Sequence, residues 1–259
     1  MTVDELQRAL LEGLIDHAAL FPPASMTMPQ ALSEDRAARE SEYGWMIDRF
    51  VCPASRLREL EGLSAPLSVV LDGELPPAAR AEAIETRLEA PRPDSRELLR
   101  TAHSLRELSN EVYFELVLEE RWRDSAPAAI GAIAVVGGRV KLRCGGLMVP
   151  SSEQVALVLV SCREAGVVMK ATAGLHHPLR SEGQHGFLNL LCAAAHAHSR
   201  RADERSLTQM LDAEALGELP LDDLNADEAR EARRRLFKGF GSCSWREPVE
   251  DLRTLGWVE

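Results

Sequence analysis

Lysine is nearly absent from this chain. Three of its 30 basic side chains are lysines, Lys141, Lys170 and Lys238, and the other 27 are arginines. A general arginine bias explains the scarcity but not the placement, because all three lysines lie in apolar, strand-like runs, "GRVKLRCG" (138–145), "GVVMKATAG" (166–174) and "RLFKGFGS" (235–242). Arginine keeps its charge with a pKa above about 12, whereas a desolvated lysine can lose its proton and act as an amine nucleophile. Other absences narrow the class. The five cysteines (52, 144, 162, 192, 243) form no CxxC pair, which argues against a disulfide frame or a zinc ribbon. No apolar run approaches the roughly 20 residues that cross a bilayer. The opening "MTVDELQRAL" reads as an acidic amphipathic helix rather than a signal peptide, so a cytoplasmic location without a membrane partner is expected. An excess of positive charge is missing too. The net charge of −11 argues against a nucleic-acid partner and requires any anion site to be local.

What is present is an alternation of short β-branched runs with helical patterns. Strands are expected near 13–21, 47–53, 66–72, 85–91, 111–118, 138–145, 166–174 and 235–242. Helices are expected at 29–43, 54–62, 76–84, 95–109, 123–136, 151–165, 184–200, 203–216, 226–235 and 247–255. Pro150, then Ser151-Ser152-Glu153 before an apolar stripe, mark the start at 151. Eight strands alternating with helices predict a closed (β/α)8 TIM barrel, one domain over residues 1–259, rather than an open doubly wound sheet. The long connection 178–235 between strands 7 and 8 is expected to hold extra helices as a lid or an oligomer contact. Homodimerisation is expected from the fold class alone.

In such a barrel the site lies at the C-terminal ends of the strands. Alternation puts Arg139, Lys141 and Arg143 on one face of strand 6, and Val168, Lys170 and Thr172 on one face of strand 7. Val140, Leu142, Met169 and Ala171 take the opposite faces, toward the helices. Two neighbouring ammonium groups repel, and partial burial adds a desolvation penalty. Both effects favour a neutral amine able to form a Schiff base. Glu115 is a candidate buried partner for Lys141 or Arg143. The alternative on these residues alone is a barrel that binds an anion without chemistry.

The ordered motifs carry a resemblance. "LIDHAAL" (14–20) looks like an opening strand Leu-Ile-Asp-His-Thr-Leu-Leu, "VCPAS" (51–55) like a second strand, and "KLRCGG" (141–146) stands where a Lys-Thr-Ser-Thr-Gly segment carries a Schiff-base lysine. "MKATAGL" (169–175) resembles a second lysine in Lys-Ala-Ser-Gly-Gly-Ile, and "GFGSCS" (239–244) a final Gly-Thr-Ser-Ser phosphate loop. Together they resemble the deoxyribose-phosphate aldolase family, class I aldolases built as (β/α)8 barrels that need no cofactor. The resemblance implies Lys141 as nucleophile, Lys170 as the neighbour that lowers its pKa and Asp16 as part of a proton relay. It also implies phosphate binding by the backbone at Ala173-Gly174 and Gly241-Ser242. Leu142 and Arg143 replace small polar residues and imply a tighter, more cationic pocket. Glu89 is the nearest counterpart of the family's strand-4 aspartate. Deoxyribose 5-phosphate is therefore not the expected substrate; a small carbonyl compound with an anionic group is.

Several polar residues complete the candidate set. Gly239 and Gly241 allow close backbone approach to a ligand. Lys238 is expected either beside that loop, neutralising a phosphate, or on the surface. His176 and His177 follow Gly174-Leu175 and are placed to bind an anion or move protons, with His185 as a possible third. His196 and His198 read as surface residues. A metal-dependent hydrolase using Asp16 or His17 with Glu115, His176 and His177 is the alternative chemistry. It has little sequence support, since strand 1 carries no HxH pair and HExxH is absent.

Overall fold

The computed structural model describes residues 4–60, 63–75, 81–146 and 149–258. Its centre is a closed barrel of eight parallel strands in chain order: β1 (Ile15–His17), β2 (Ile47–Pro53), β3 (Leu67–Val70), β4 (Ala83–Arg87), β5 (Glu111–Glu115), β6 (Arg139–Arg143), β7 (Met169–Thr172) and β8 (Phe237–Ser242). β8 pairs with β1 through Ile15–Phe240, Asp16–Gly241 and His17–Ser242, and this closes the ring. The helices are α1 (Glu5–Leu11), α2 (Met28–Glu40), α3 (Ser95–Arg106), α4 (Trp122–Val135), α5 (Ser152–Ala165), α6 (Phe187–His198), α7 (Glu204–Asp212), α8 (Ala226–Arg235) and α9 (Arg246–Thr254). The fold is a (β/α)8 barrel. No helix among the described residues is long and apolar enough to cross a membrane.

Local chemistry fixes the helix starts. Ser151 and Gln154 cap each other ahead of α5: the Ser151 amide donates to Gln154 Oε1 at 2.8 Å, and the Gln154 amide to Ser151 Oγ at 3.3 Å. Gly166, at φ 66°, ends that helix in the left-handed conformation that a side chain would strain. Between β2 and β3 the chain forms a 3-10 turn, Ala54–Glu59, instead of the expected α-helix 54–62, whose last two residues lie outside the described ones. The expected helix 76–84 falls partly on residues 76–80, outside the described residues, and its last two positions already belong to β4. β4 therefore starts two residues earlier than 85–91 and stops at Arg87, well short of Pro91 and Pro93.

The main core lies between the strands and the helices. Val140, Leu142, Met169 and Ala171 face it, with Val155, Leu159, Leu190 and Leu191 from α5 and α6. α6 is buried from Phe187 to Ala197, because α7 and α8 pack over it. His196 is accordingly buried, its Nε2 set 3.0 Å from the Pro220 carbonyl, instead of lying on the surface. Inside the ring the filling is polar where many such barrels use aliphatic layers. Four ion pairs between non-adjacent strands cross the interior: Arg49 (β2) to Glu111 (β5), Lys170 (β7) to Asp16 (β1), and both Lys170 and Lys141 (β6) to Glu85 (β4). Buried charges survive only when paired.

Candidate functional site

Strand register brings the site together. Lys141 and Lys170 are direct partners across β6 and β7, and Glu115 is the partner of Lys141 across β5 and β6. Side chains at paired positions point to the same side, so all three enter the barrel. Alternation on β1 sends Asp16 inward, while His17 turns out to α2, with Nδ1 3.2 Å from Asp35.

Glu85, at the centre of β4, organises the interior. Its Oε2 is 2.8 Å from Lys141 Nζ and its Oε1 accepts from Lys170 Nζ at 2.7 Å. Ser68 Oγ also donates to Oε1, at 2.6 Å. Lys170 forms a second, short ion pair with Asp16, whose other oxygen accepts from the Arg49 amide at 3.1 Å. Lys141 has a second partner in Glu115 at 3.1 Å, and Arg143 Nε holds the opposite oxygen of Glu115, also at 3.1 Å. The result is a chain of alternating charge: Asp16, Lys170, Glu85, Lys141, Glu115, Arg143.

Electrostatics follow from this order. Burial would raise the Glu85 carboxyl, but Lys141 and Lys170 outweigh it and hold the group well below the usual carboxylate range. Burial would lower Lys170, but Asp16 and Glu85 outweigh it and drive the ammonium above its ordinary value. Glu115 is likewise lowered: the penalty of burial is exceeded by Lys141 and Arg143. The expectation that bare repulsion from Lys170 tunes Lys141 is thus corrected, because a shared carboxylate stands between the two amines. The expected strand-4 acid is corrected as well. Glu89 is exposed beyond the end of β4, and Glu85 occupies the interior. The signal was available: Ala83-Ile84 directly precede Glu85, and the prolines at 91 and 93 stop a strand before it could use Glu89.

Above this network lies a cavity of about 710 Å³ at the C-terminal ends of the strands. Lys141, Lys170, Glu85, Glu115, Arg143, Thr172, Gly174, His176, Gly241 and Ser242 line it. Asp16 is held one layer deeper by Lys170. Thr172 Oγ1 would sit 3.2 Å from any Cβ at Gly241, so that glycine keeps the mouth open. Ala173 and Gly174, at φ 60° and 67°, are consecutive left-handed residues at the rim, and Gly174 packs on the backbone of Cys144 and Gly145. From the long segment 178–235, Gln184 is the residue among the described ones that lines the cavity.

Several expected residues lie elsewhere. Lys238 sits at the start of β8, the opposite end of the barrel from the cavity, and pairs with Asp48 at 3.2 Å. Gly239 serves barrel closure rather than a ligand: a Cβ there would stand 2.3 Å from the Leu14 carbonyl oxygen. His177 Nδ1 pairs with Asp251 of α9 at 2.6 Å and does not line the cavity, whereas His176, which does, pairs with Glu247 at 2.8 Å. His185 is buried with Nε2 2.7 Å from the Pro150 carbonyl, and burial lowers its pKa. Asp16, His17, Glu115, His176 and His177 therefore have five separate sets of partners. No group of three or more His, Cys, Asp or Glu side chains among the described residues is placed to hold a metal. Sequence reasoning missed Arg87, the last residue of β4, which also lines the cavity.

No protein-family model matches the chain, and no curated protein does. Among solved structures it is similar to a crystal structure described as "a putative deoxyribose-phosphate aldolase from Toxoplasma gondii ME49", at 12% identity and a TM-score of 0.47. The match covers 98% of this chain and 96% of the other. It is a likeness of fold.

Proposed function

We propose that the barrel is a class I, Schiff-base lyase acting on a small carbonyl compound that bears an anionic group. The observation that supports this most directly is Lys141: a buried amine at the floor of the cavity, flanked by Glu85 and Glu115 and chained through Glu85 to Lys170 and Asp16. A proton leaves Nζ for Glu115, and the free amine adds to the substrate carbonyl carbon. The carbinolamine takes up a proton on its hydroxyl and expels water, forming an iminium. The hydroxyl on the β carbon then gives its proton to Glu115 as the bond between the α and β carbons breaks, and that bond's electron pair passes to the iminium, giving an enamine and releasing the β fragment as an aldehyde. Reprotonation of the enamine and addition of water return Lys141. Lys170, fixed between Asp16 and Glu85, keeps a positive charge at the site through these steps and carries no covalent intermediate. The consecutive left-handed residues Ala173 and Gly174, with Gly241 and Ser242, offer backbone N–H groups to an oxyanion.

A second reading is favoured by the full pairing of Lys141: an ammonium with two carboxylate partners suits a barrel that holds an anion and performs no chemistry. Borohydride reduction in the presence of a panel of small aldehydes and ketones, followed by peptide mass spectrometry, separates the two. The lyase reading expects a reduced adduct on Lys141, abolished in Lys141→Arg. Unmodified Lys141 across the panel, with ligand binding intact, selects the anion-binding barrel.

A further inference from the structure

The charges around the cavity floor do not quite cancel. Asp16, Glu85 and Glu115 answer Lys170, Lys141 and Arg143 one for one. Arg87 remains. Its side chain is exposed, lines the same cavity, and has neither ion pair nor hydrogen bond among the described residues. Arg143 is only partly used: Nε holds Glu115, while its two terminal nitrogens have no partner among the described residues and the side chain is 51% exposed.

The two arginines come from the strands on either side of β5, which carries Glu115. Arg87 is its register partner across β4 and β5, and Arg143 is bonded to it from β6. Strand register places both relative to Lys141. Arg143 is two residues further along the same face of the same strand, so its root lies about 7 Å toward the mouth. Arg87 is level with Lys141 two strands away, a root separation of about 10 Å. Both side chains line the cavity that Lys141 lines. Gly174 lies in the turn after β7, and Gly241 and Ser242 lie in β8, on another arc of the ring.

On the strength of this geometry, and resting on the lyase reading above, we infer that Arg87 and Arg143 form a carboxylate subsite beside Lys141 and that the carbonyl compound is a 2-oxo acid. A carboxylate attached to the carbonyl carbon must lie within one bond of the atom that Lys141 attacks, and the unpaired Arg87 guanidinium with the two terminal nitrogens of Arg143, in the same cavity, match its planar, two-oxygen acceptor. A neutral aldehyde would leave the uncompensated Arg87 without a partner.

Two measurements on the 259-residue chain test this. In the first, pyruvate and acetaldehyde compete for borohydride trapping on Lys141. The wild type favours pyruvate, and Arg87→Gln lowers the pyruvate-to-acetaldehyde ratio about tenfold, the loss of one charge-assisted carboxylate contact. Arg87→Lys recovers part of that ratio, since it restores charge without the fork. In the second, calorimetry follows oxalate, a planar dicarboxylate that forms no imine. Its Kd rises about tenfold in Arg87→Gln. Trapping of acetaldehyde as efficiently as pyruvate, with oxalate binding unmoved in Arg87→Gln, overturns the subsite and leaves the lyase standing. Absence of any imine, with oxalate bound and weakened about tenfold by Arg87→Gln, overturns the lyase and the 2-oxo acid with it but supports the carboxylate subsite.

Discussion

Two ammonium groups on adjacent strands of a closed barrel are bridged by Glu85, which gives each of them one oxygen. Removing that charge while keeping the shape leaves Lys141 and Lys170 facing each other in a low-dielectric interior. Breaking a buried ionic network by deleting one partner typically costs about 3–5 kcal/mol. Glu85→Gln is therefore expected to lower unfolding free energy by about 3 kcal/mol or more in urea titrations at neutral pH. A loss below about 1 kcal/mol would show that the interior admits enough water to screen the pair. Glu85 also marks the limit of reading single residues from sequence. Lys141, Lys170 and Asp16 stood out through rarity and motif, whereas one glutamate among 41 acidic residues acquires meaning only when β4 begins at Ala83.

At the scale of elements, α8 packs on α1, and one of its side chains also bonds the start of the barrel. Arg233, buried on α8, donates to the carbonyls of Leu10 in the last turn of α1, of Glu12 and Gly13 in the α1–β1 connection, and of Lys238 at the start of β8. Burial lowers its pKa to about 10, yet four carbonyl acceptors surround the guanidinium. Replacing it by leucine leaves those carbonyls without donors, at about 1–3 kcal/mol for each one kept from water. Arg233→Leu is thus expected to lower stability by about 3 kcal/mol and to speed hydrogen exchange in residues 10–15 before the rest of the barrel. Uniform exchange changes across all eight strands would rule out the local tie. The long segment 178–235 behaves similarly: its helices α6, α7 and α8 pack against α5, α1 and one another. Its length and helical patterns were visible in the sequence. The partners that each helix would find were not, because an amphipathic face specifies burial but not what it is buried against.

For the whole molecule, the pairing of buried charge sets the pH range of stability. Glu85, Glu115 and Asp35 all have carboxyls held below the ordinary range. Their stabilisation is complete above the unfolded-state values of about 4 and is lost as pH falls through the lower folded-state values. Lys170 is shifted upward, so its contribution is complete below about pH 10 and fades only as pH rises through its raised value. Thermal melts are expected to show a plateau between about pH 5 and 9 and a fall below about pH 4. The acid limb should be shallower in Glu85→Gln. An acid limb of equal slope in that variant would place the responsible carboxylates elsewhere.

The sequence by itself determined the eight-fold alternation of strand and helix, the inward faces of β6 and β7, and that only one of Asp16 and His17 could point inward. Each of these depends on short-range periodicity, which a linear chain carries in full. Only the tertiary structure decided that Glu85 stands between the lysines, that Lys238 lies at the far end of the barrel, and that Arg87 joins Arg143 at the mouth. These depend on register between strands far apart in sequence. A shift of two residues in where a strand begins keeps every face the same but carries a side chain about 7 Å along the barrel axis. Closure of the ring fixes that shift, and no local pattern encodes it.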